Sequence, residues 1–279
     1  MPTATRDGVE IAYEVQGEGA PLVLLEGLGY GRWMWRYQVP DLPSRFRLLM
    51  VDNRGIGNST PLAAPYTVEA FARDALAVLD AEGVEQAHVL GVSMGGFIAQ
   101  AMAALAPKRC GRLVLVSTSP GGPRSLPMPQ ATWNELIREV PGESARDHLR
   151  RTMALAFTEA FARDRSAEFE ALLDVRLTQP QGPDQWMFQA SSSRDFDATH
   201  SDRRLELPAL VIAGTEDRVL PWTNALLLHK AIPRASLLLF RGQNHLLFME
   251  RPAEFNAAVV GFLTATPEAL AEGSVREVR

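Results

Sequence analysis

The stretch Gly91-Val92-Ser93-Met94-Gly95 decides which fold this chain adopts. It reads G-x-S-x-G and lies between a short apolar run, Ala87–Leu90, and a run with helical spacing, Phe97–Leu105. A nucleophilic serine on a sharp strand-to-helix turn has a strained backbone. Glycine fits two residues before and after it, because a side chain there would collide with the neighbouring strand and helix. The flanking runs therefore favour a nucleophilic serine over an incidental serine in a glycine-rich turn.

The length and composition of the chain are those of an ordinary globular protein. Its 279 residues correspond to one large domain or one and a half, with 46% hydrophobic and 22% charged residues. The net charge of -5 gives no argument for a nucleic-acid partner or an anionic membrane surface. Cys110 is the single cysteine, which excludes an internal disulfide and favours a reducing compartment. No signal pattern and no membrane-spanning apolar run is found, so we predict a cytoplasmic protein.

Short apolar runs recur along the chain, separated by stretches with helical spacing. The apolar runs are Leu22–Leu25, Leu48–Val51, Val89–Leu90, Leu113–Val116, Ala209–Ala213 and Leu237–Phe240. The helical stretches are Val68–Leu79, Met94–Leu105, Pro221–Ala231 and Phe255–Phe262. Continuous apolar runs indicate strands covered on both faces, and their alternation with helices indicates a mostly parallel sheet. Val9–Val15 alternates after an Asp7-Gly8 turn, which predicts an antiparallel hairpin at the sheet edge.

The alternation of strands and helices stops after Val116. Residues 121–204 keep helical spacing without a strand-like run, and breakers such as Pro141-Gly142 divide them. We predict about four helices that form a cap inserted between two strands. An independent helical domain is a weaker interpretation, because the chain returns directly to a strand near Leu207. The core then comprises residues 1–120 and 205–265, and the alternating charges of the tail, 266–279, predict fraying.

Three functional side chains follow three of the predicted strands. Ser93 follows the third main strand, Asp217 follows Ala209–Ala213, and His245 follows Leu237–Phe240. Ligands bind beyond the carboxyl ends of the strands in an open parallel sheet, so we predict that these side chains meet there. A serine hydroxyl needs a base within hydrogen-bond reach, and the base needs an orienting carboxylate. We therefore predict that His245 takes the Ser93 proton and that Asp217 holds the other ring nitrogen.

The acid has a direct competitor in Glu216. Adjacent side chains after a strand point in different directions, so only one of Glu216 and Asp217 can reach His245, and we favour Asp217. Four further histidines do not follow a strand end after the acid: His88, His148, His200 and His229. No histidine pair has a metal-ligand spacing such as H-E-x-x-H, so we expect neither a metal nor a cofactor.

The order serine, aspartate, histidine at strand ends resembles the α/β-hydrolase superfamily over about residues 9–262. Asp52–Ser59 is similar to the D-x-R-G-x-G-x-S loop of that superfamily, and Arg251-Pro252 resembles its helix start. The resemblance implies an α/β-hydrolase fold: a mostly parallel central sheet with helices on both faces and an inserted helical cap. It points to the capped branch of esterases, lactonases and cofactor-free haloperoxidases. Relatives with an aspartate nucleophile are excluded, because Ser93 stands in that place.

The resemblance also implies an oxyanion hole built from two backbone N–H groups. One belongs to Met94, after the nucleophile, and the other to Leu28 in the loop Glu26–Gly29. Glu26 stands where many relatives have a histidine. A carboxylate there would oppose the developing negative charge, so we expect Glu26 to point away from the pocket or to be neutralised, with Arg54 as the nearest arginine.

Apolar walls with few polar groups are typical of a small-molecule pocket. Candidate substrate-binding residues are Trp33, Trp186, Met187 and Leu246, and core packing is the open alternative for Trp33 and for Trp186. The sequence thus predicts a serine hydrolase that cleaves a carboxylic ester or lactone of a small, largely apolar substrate through an acyl-enzyme at Ser93. A perhydrolase (cofactor-free haloperoxidase) with the same triad and a slow-turnover ligand receptor are the alternatives. The natural substrate and the oligomeric state stay open.

Overall fold

Nine strands form one sheet in the described part of the chain, residues 1–198, 205–266 and 274–278 of a computed structural model. The strands are β1 Thr3–Arg6, β2 Val9–Gln16, β3 Ala20–Leu25, β4 Phe46–Val51, β5 Ala87–Val92, β6 Cys110–Val116, β7 Ala209–Gly214, β8 Ala235–Phe240 and β9 Val275–Val278. Their order is β1-β2-β4-β3-β5-β6-β7-β8-β9. β2 is antiparallel to both β1 and β4, and every other neighbouring pair is parallel. The predicted parallel sheet and edge hairpin are confirmed.

Helices cover the sheet on both sides. The α-helices of the described residues are α1 Val68–Ala81, α2 Met94–Leu105, α3 Gln130–Ile137, α4 Ala145–Met153, α5 Glu159–Asp164, α6 Ser166–Thr178, α7 Pro183–Arg194, α8 Thr223–Ala231, α9 Leu247–Glu250 and α10 Pro252–Thr264. The predicted α1, α2, α8 and α10 are all found. Thr67 caps α1 as expected, because its side chain accepts a hydrogen bond from Ala70 N.

The sheet separates two apolar clusters, which explains why its strands are apolar without interruption. In β3, Val23 and Leu25 belong to the cluster that includes side chains of α1, α2 and α8. Leu22 and Leu24 belong to the opposite cluster, which includes side chains of α9, α10 and the segment between β6 and β7. Alternate residues of a strand point to opposite faces, so a central strand such as β3 needs apolar residues on both faces to serve both clusters.

Five helices, α3–α7, lie between β6 and β7 within the described residues, where about four were predicted. One core cluster includes Phe161 of α5, Phe169 of α6 and, from the segment between α4 and α5, Phe157. We keep the name cap for residues 121–204 and propose that they act as one. The predicted boundary at residue 204, and His200 with it, lies outside the described residues.

The carboxyl end of the chain departs from the expectation. Val275–Val278 form β9, parallel to β8, and Glu277 forms a 2.6 Å ion pair with Arg241. The expectation that the tail frays is wrong for this segment, because the outer edge of β8 offers backbone groups that pair with it. Residues 267–273 and 279 of the predicted tail lie outside the described residues.

The turn between β5 and α2 depends on two glycines. A Cβ on Gly91 would overlap the carbonyl oxygen of Gly95, and one on Gly95 would overlap that of Leu25, both inside the 3.0 Å that real Cβ atoms keep. The start of α2 is therefore packed directly against the end of β3, and the expected collision with neighbouring strand and helix is confirmed.

Gly95→Ala tests this packing. We expect the free energy of unfolding to fall by about 1–3 kcal/mol, because the backbone of β3 cannot move as a side chain could. The measurement is urea unfolding. Gly261→Ala is the control: Gly261 lies in α10 with nothing within 4 Å of its Cβ position, so alanine should stabilise by roughly 0.5–1 kcal/mol. An unchanged transition midpoint for Gly95→Ala would contradict the packing argument.

Candidate active site

Ser93 occupies the turn between β5 and α2 in a strained conformation. Its backbone has φ 56° and ψ -117°, a region that residues other than glycine rarely adopt. Ser93 N donates to Val116 O at 2.9 Å, and Thr118 Oγ1 donates to Ser93 O at 2.8 Å. These bonds hold the strained turn against the end of β6. Ser93 stays partly exposed at the positive end of α2.

Asp217 and His245 form a buried pair at the ends of β7 and β8. Asp217 Oδ2 lies 2.8 Å from His245 Nδ1, and the side chains are 0% and 6% exposed. The other carboxylate oxygen of Asp217 accepts from Val219 N and Leu220 N, both at 2.8 Å. Glu216 is exposed. Of the two candidate acids, the structure thus brings Asp217 to the histidine.

Ser117 links the serine turn to the histidine loop. Its Oγ donates to His245 O at 2.8 Å, and its N–H donates to Ile212 O at 2.8 Å. Ser117 directly follows Val116, whose carbonyl accepts from Ser93 N. No hydrogen bond joins Ser93 Oγ to the ring of His245 among the residues that the structure describes. Catalytic contacts of this kind are often long until substrate binds.

The loop after β3 lies beside Ser93. The Cβ position of Gly27 is 3.3 Å from Ser93 Cβ, and that of Gly95 is 2.8 Å from Glu26 O. Within the described residues, the backbone N–H groups of Leu28 and Met94 have no protein acceptor. Two donors are therefore available at the place where the sequence predicts an oxyanion hole.

Gln189 of α7 was not identified from the sequence, because an isolated glutamine in a helix carries no pattern. It is fully buried and bridges two loops of the sheet. Gly29 N donates to Gln189 Oε1 at 3.3 Å, and Gln189 Nε2 donates to Arg54 O at 2.6 Å. The bridge ties the predicted oxyanion loop to the cap and to the loop after β4.

Glu26 has surroundings that the sequence did not reveal. Arg54, the expected partner, instead forms two bonds of 2.7 and 2.8 Å to Asp74 of α1, so that expectation is wrong. Glu26 is 0% exposed, and its Oε1 has no hydrogen-bond partner within the described residues. Asn53 Nδ2 donates to its Oε2 over a long 3.5 Å.

The surroundings of Glu26 favour its protonated form. Burial raises the pKa of Glu26 well above the usual range, and the charge of Asp52 adds to the rise. The backbone N–H groups of Glu26 and Asn53 and the charge of Arg32 oppose it more weakly. Arg32 is itself paired with Asp52. An uncharged acid beside the oxyanion loop removes the repulsion that a carboxylate would exert there.

The four candidate pocket residues occupy different places. Trp186 Cδ1 lies 3.0 Å from the Cβ position of Gly29, over the oxyanion loop. Leu246 is buried next to His245. Trp33 packs on Tyr30 with ring centroids 5.2 Å apart, and Met187 is 43% exposed. Their contact with substrate stays a prediction.

The described residues contain neither a metal-binding cluster nor a membrane-spanning helix. In residues 1–198, 205–266 and 274–278, no three histidine, cysteine or acidic side chains cluster so that they could hold a metal ion. Over the same residues, no helix is both long and apolar enough to cross a membrane.

Known hydrolases resemble the chain over nearly its whole length. Residues 20–252 match the family described as alpha/beta hydrolase fold. The putative carbamate hydrolase RutD of Azorhizobium caulinodans is 27% identical over 94% of this chain and 98% of that protein. A 2-hydroxy-6-oxononadienedioate/2-hydroxy-6-oxononatrienedioate hydrolase of Cupriavidus pinatubonensis is 32% identical over 88% of each. The enol-lactonase from Burkholderia xenovorans LB400 superposes with a TM-score of 0.80 at 26% identity, over 95% of this chain and 100% of that one.

Glu26→Gln tests the buried acid through the pH dependence of stability. Above pH about 4.5 the unfolded chain loses the Glu26 proton while the native protein keeps it, so the wild type loses stability as pH rises towards the native pKa. The variant lacks this loss. Relative to the wild type, its free energy of unfolding should therefore rise with pH, by up to about 1.4 kcal/mol per unit.

Urea unfolding between pH 4.5 and 8 measures the difference. Glu18→Gln, which changes an exposed glutamate in the same way, is the control. A wild-type-to-variant difference that stays constant over this range would mean that Glu26 is ionised in the native protein.

Proposed function

The chain belongs to the α/β-hydrolase family, and we propose that it is a serine hydrolase that cleaves a carboxylic ester or lactone through an acyl-enzyme at Ser93. The observation that carries the proposal is the buried 2.8 Å contact between His245 Nδ1 and Asp217 Oδ2. It lies at the strand ends beside a strained serine turn, which is the arrangement that a serine nucleophile requires.

The chemistry follows from the roles of these groups. Asp217 holds His245 through Nδ1, so Nε2 is free to take the Ser93 proton as Oγ attacks the substrate carbonyl. The N–H groups of Leu28 and Met94 then donate to the oxyanion, and each such donor is typically worth roughly 2.7–4 kcal/mol in the transition state. The protonated His245 gives its proton to the leaving alcohol. Water attacks the acyl-enzyme by the same route and releases the acid.

The substrate class is supported by the walls and by one relative. Trp186 lies against Gly29 of the predicted oxyanion loop and offers apolar surface there, which suits a small apolar acyl group. The enol-lactonase of Burkholderia xenovorans supports a lactone by its name. The other two relatives are named for a carbamate and for a 2-hydroxy-6-oxononadienedioate. Carbamates are therefore tested as substrates beside esters and lactones.

A fluorophosphonate probe tests the nucleophile. It should label Ser93 and no other serine, because among the serines that the structure describes only Ser93 lies beside the proposed base and oxyanion donors. Ser93→Ala should abolish both labelling and turnover of a panel of esters, lactones and carbamates, and its circular dichroism spectrum should match the wild type. Peptide mapping by mass spectrometry locates the label.

The same experiment separates the alternatives. Labelling that survives in Ser93→Ala would overturn the assignment of the nucleophile. Peroxide-dependent halogenation exceeding ester hydrolysis would point to a perhydrolase. Tight ligand binding with almost no turnover would point to a receptor.

The pair Asp217→Asn and Glu216→Gln tests the acid. Asp217→Asn should lower kcat by up to about 10⁴-fold, because the amide selects the wrong histidine tautomer. Glu216→Gln is the matched control on an exposed neighbour, and its kcat should stay within about threefold of the wild type. Steady-state kinetics on a short-chain ester measures both. A larger loss for Glu216→Gln would reverse the two roles.

A further inference from the structure

Asn244 connects the acid loop, the histidine and the cap through one buried amide. It is 1% exposed. Its Oδ1 accepts from Arg218 N at 2.9 Å and from His245 N at 2.8 Å. Its Nδ2 donates to Leu155 O at 3.0 Å and to Phe157 O at 2.6 Å. An amide has two acceptor sites and two donor hydrogens, so every hydrogen-bonding position of Asn244 is used.

The arrangement fixes which way the amide points. Its two neighbours on one side are backbone N–H groups and its two neighbours on the other are carbonyls. Only one orientation of the amide satisfies all four. The flipped orientation would leave Arg218 N, His245 N and Leu155 O without partners, and a buried group without a partner costs about 1–3 kcal/mol. The histidine itself and the residue after the acid are therefore held by the same oxygen.

The segment 154–158, which connects α4 and α5, is bound to the same two loops by further contacts. Leu246 N donates to Ala156 O at 3.0 Å. Arg218 Nη2 donates to Phe157 O at 2.9 Å and to Ala154 O at 3.1 Å. The carboxylate of Glu250, at the end of α9, accepts from Thr158 N at 2.8 Å. One short segment of the cap thus contacts both the loop that carries Asp217 and the loop that carries His245.

We propose that Asn244 is a positioning residue that couples the seating of the 154–158 segment to the alignment of Asp217 with His245. Asn244 does not reach the Ser93 turn through any hydrogen bond of the described residues, so it acts through the acid and the base. Since the segment belongs to the cap, a displacement of the cap alters the angle at which the imidazole meets the carboxylate. The proposal rests on the proposed function, because it assigns a role within the same triad.

The proposed coupling predicts different effects on kcat and on KM. A residue that only holds the cap in place would change KM, because the cap contributes the Trp186 side of the pocket. A residue that aligns acid and base changes the reaction of Ser93 itself. We therefore expect Asn244→Ala to lower kcat and the rate of fluorophosphonate labelling by about 10- to 100-fold, the effect of misplacing a catalytic group by about 1 Å, with KM within about twofold.

Asn244→Asp isolates the link to the cap. The carboxylate still accepts from Arg218 N and His245 N, but it cannot donate to the carbonyls of Leu155 and Phe157. A loss of kcat similar to that of Asn244→Ala is expected, and wild-type kcat in Asn244→Asp would overturn the coupling. Gln243→Ala, at the adjacent and partly exposed position, is the control and should leave kcat, KM and labelling unchanged.

Arg218→Ala tests the coupling if the Asn244 variants do not fold. The Arg218 side chain is 43% exposed, and its loss removes two bonds to the 154–158 segment while Asn244 stays in place. We expect kcat to fall by about three- to tenfold with KM unchanged. Glu159→Gln, which removes only the 3.4 Å ion pair of Arg218, is its matched control.

The measurements are the labelling rate, kcat and KM for p-nitrophenyl acetate, and the melting temperature. Wild-type protein that the probe does not label at Ser93 would sink the proposed function. Labelled wild type, with Asn244→Ala labelled at the same rate despite a lower melting temperature, would overturn the positioning role alone. A change of KM without a change of kcat would equally overturn it.

Discussion

The direct packing of Gly95 on the carbonyl oxygen of Leu25 is the contact on which the rest of the structure depends. Because no side chain separates them, the first turn of α2 lies against the end of β3. This contact brings the loop after β3 beside Ser93. The strained backbone of Ser93 is tolerated because the surrounding strands hold the turn, and such strain typically costs of order 1–3 kcal/mol.

Buried charge is arranged so that little of it faces the serine. Arg54 forms an ion pair with Asp74, and Arg32 forms an ion pair with Asp52. Glu26 is left without a cation, and burial together with Asp52 favours its protonated form. Removing a charge by protonation avoids the desolvation of a second ion, which a buried ion pair would require. The side chain beneath the loop beside Ser93 is therefore polar, and its surroundings favour the uncharged form.

The predictable parts of the fold are those that follow from the order of apolar and polar residues along the sequence. Apolar runs identified the main strands, and the rule that ligands meet at the carboxyl ends of parallel strands placed Asp217 and His245 together. The partner of Arg54 was mispredicted. Glu26 was expected to pair with it because both follow central strands, whereas its actual partner, Asp74, lies on helix α1. Gln189 and Asn244 act on backbone groups distant in sequence, so neither residue has a signal in the sequence. The β9 strand was missed because charge alternation was interpreted as solvation, although the free edge of β8 could pair with it.

The position of the cap between β6 and β7 has a consequence for synthesis of the chain. β6 pairs with β5 on one side and with β7 on the other, but β7 follows the whole cap in the sequence. While the ribosome adds residues 121–204, the outer edge of Leu113–Val116 has no strand to pair with. An apolar edge in a growing chain is a site for aggregation or chaperone binding. The chain is thus most exposed to aggregation before Asp217 and His245 have been synthesised.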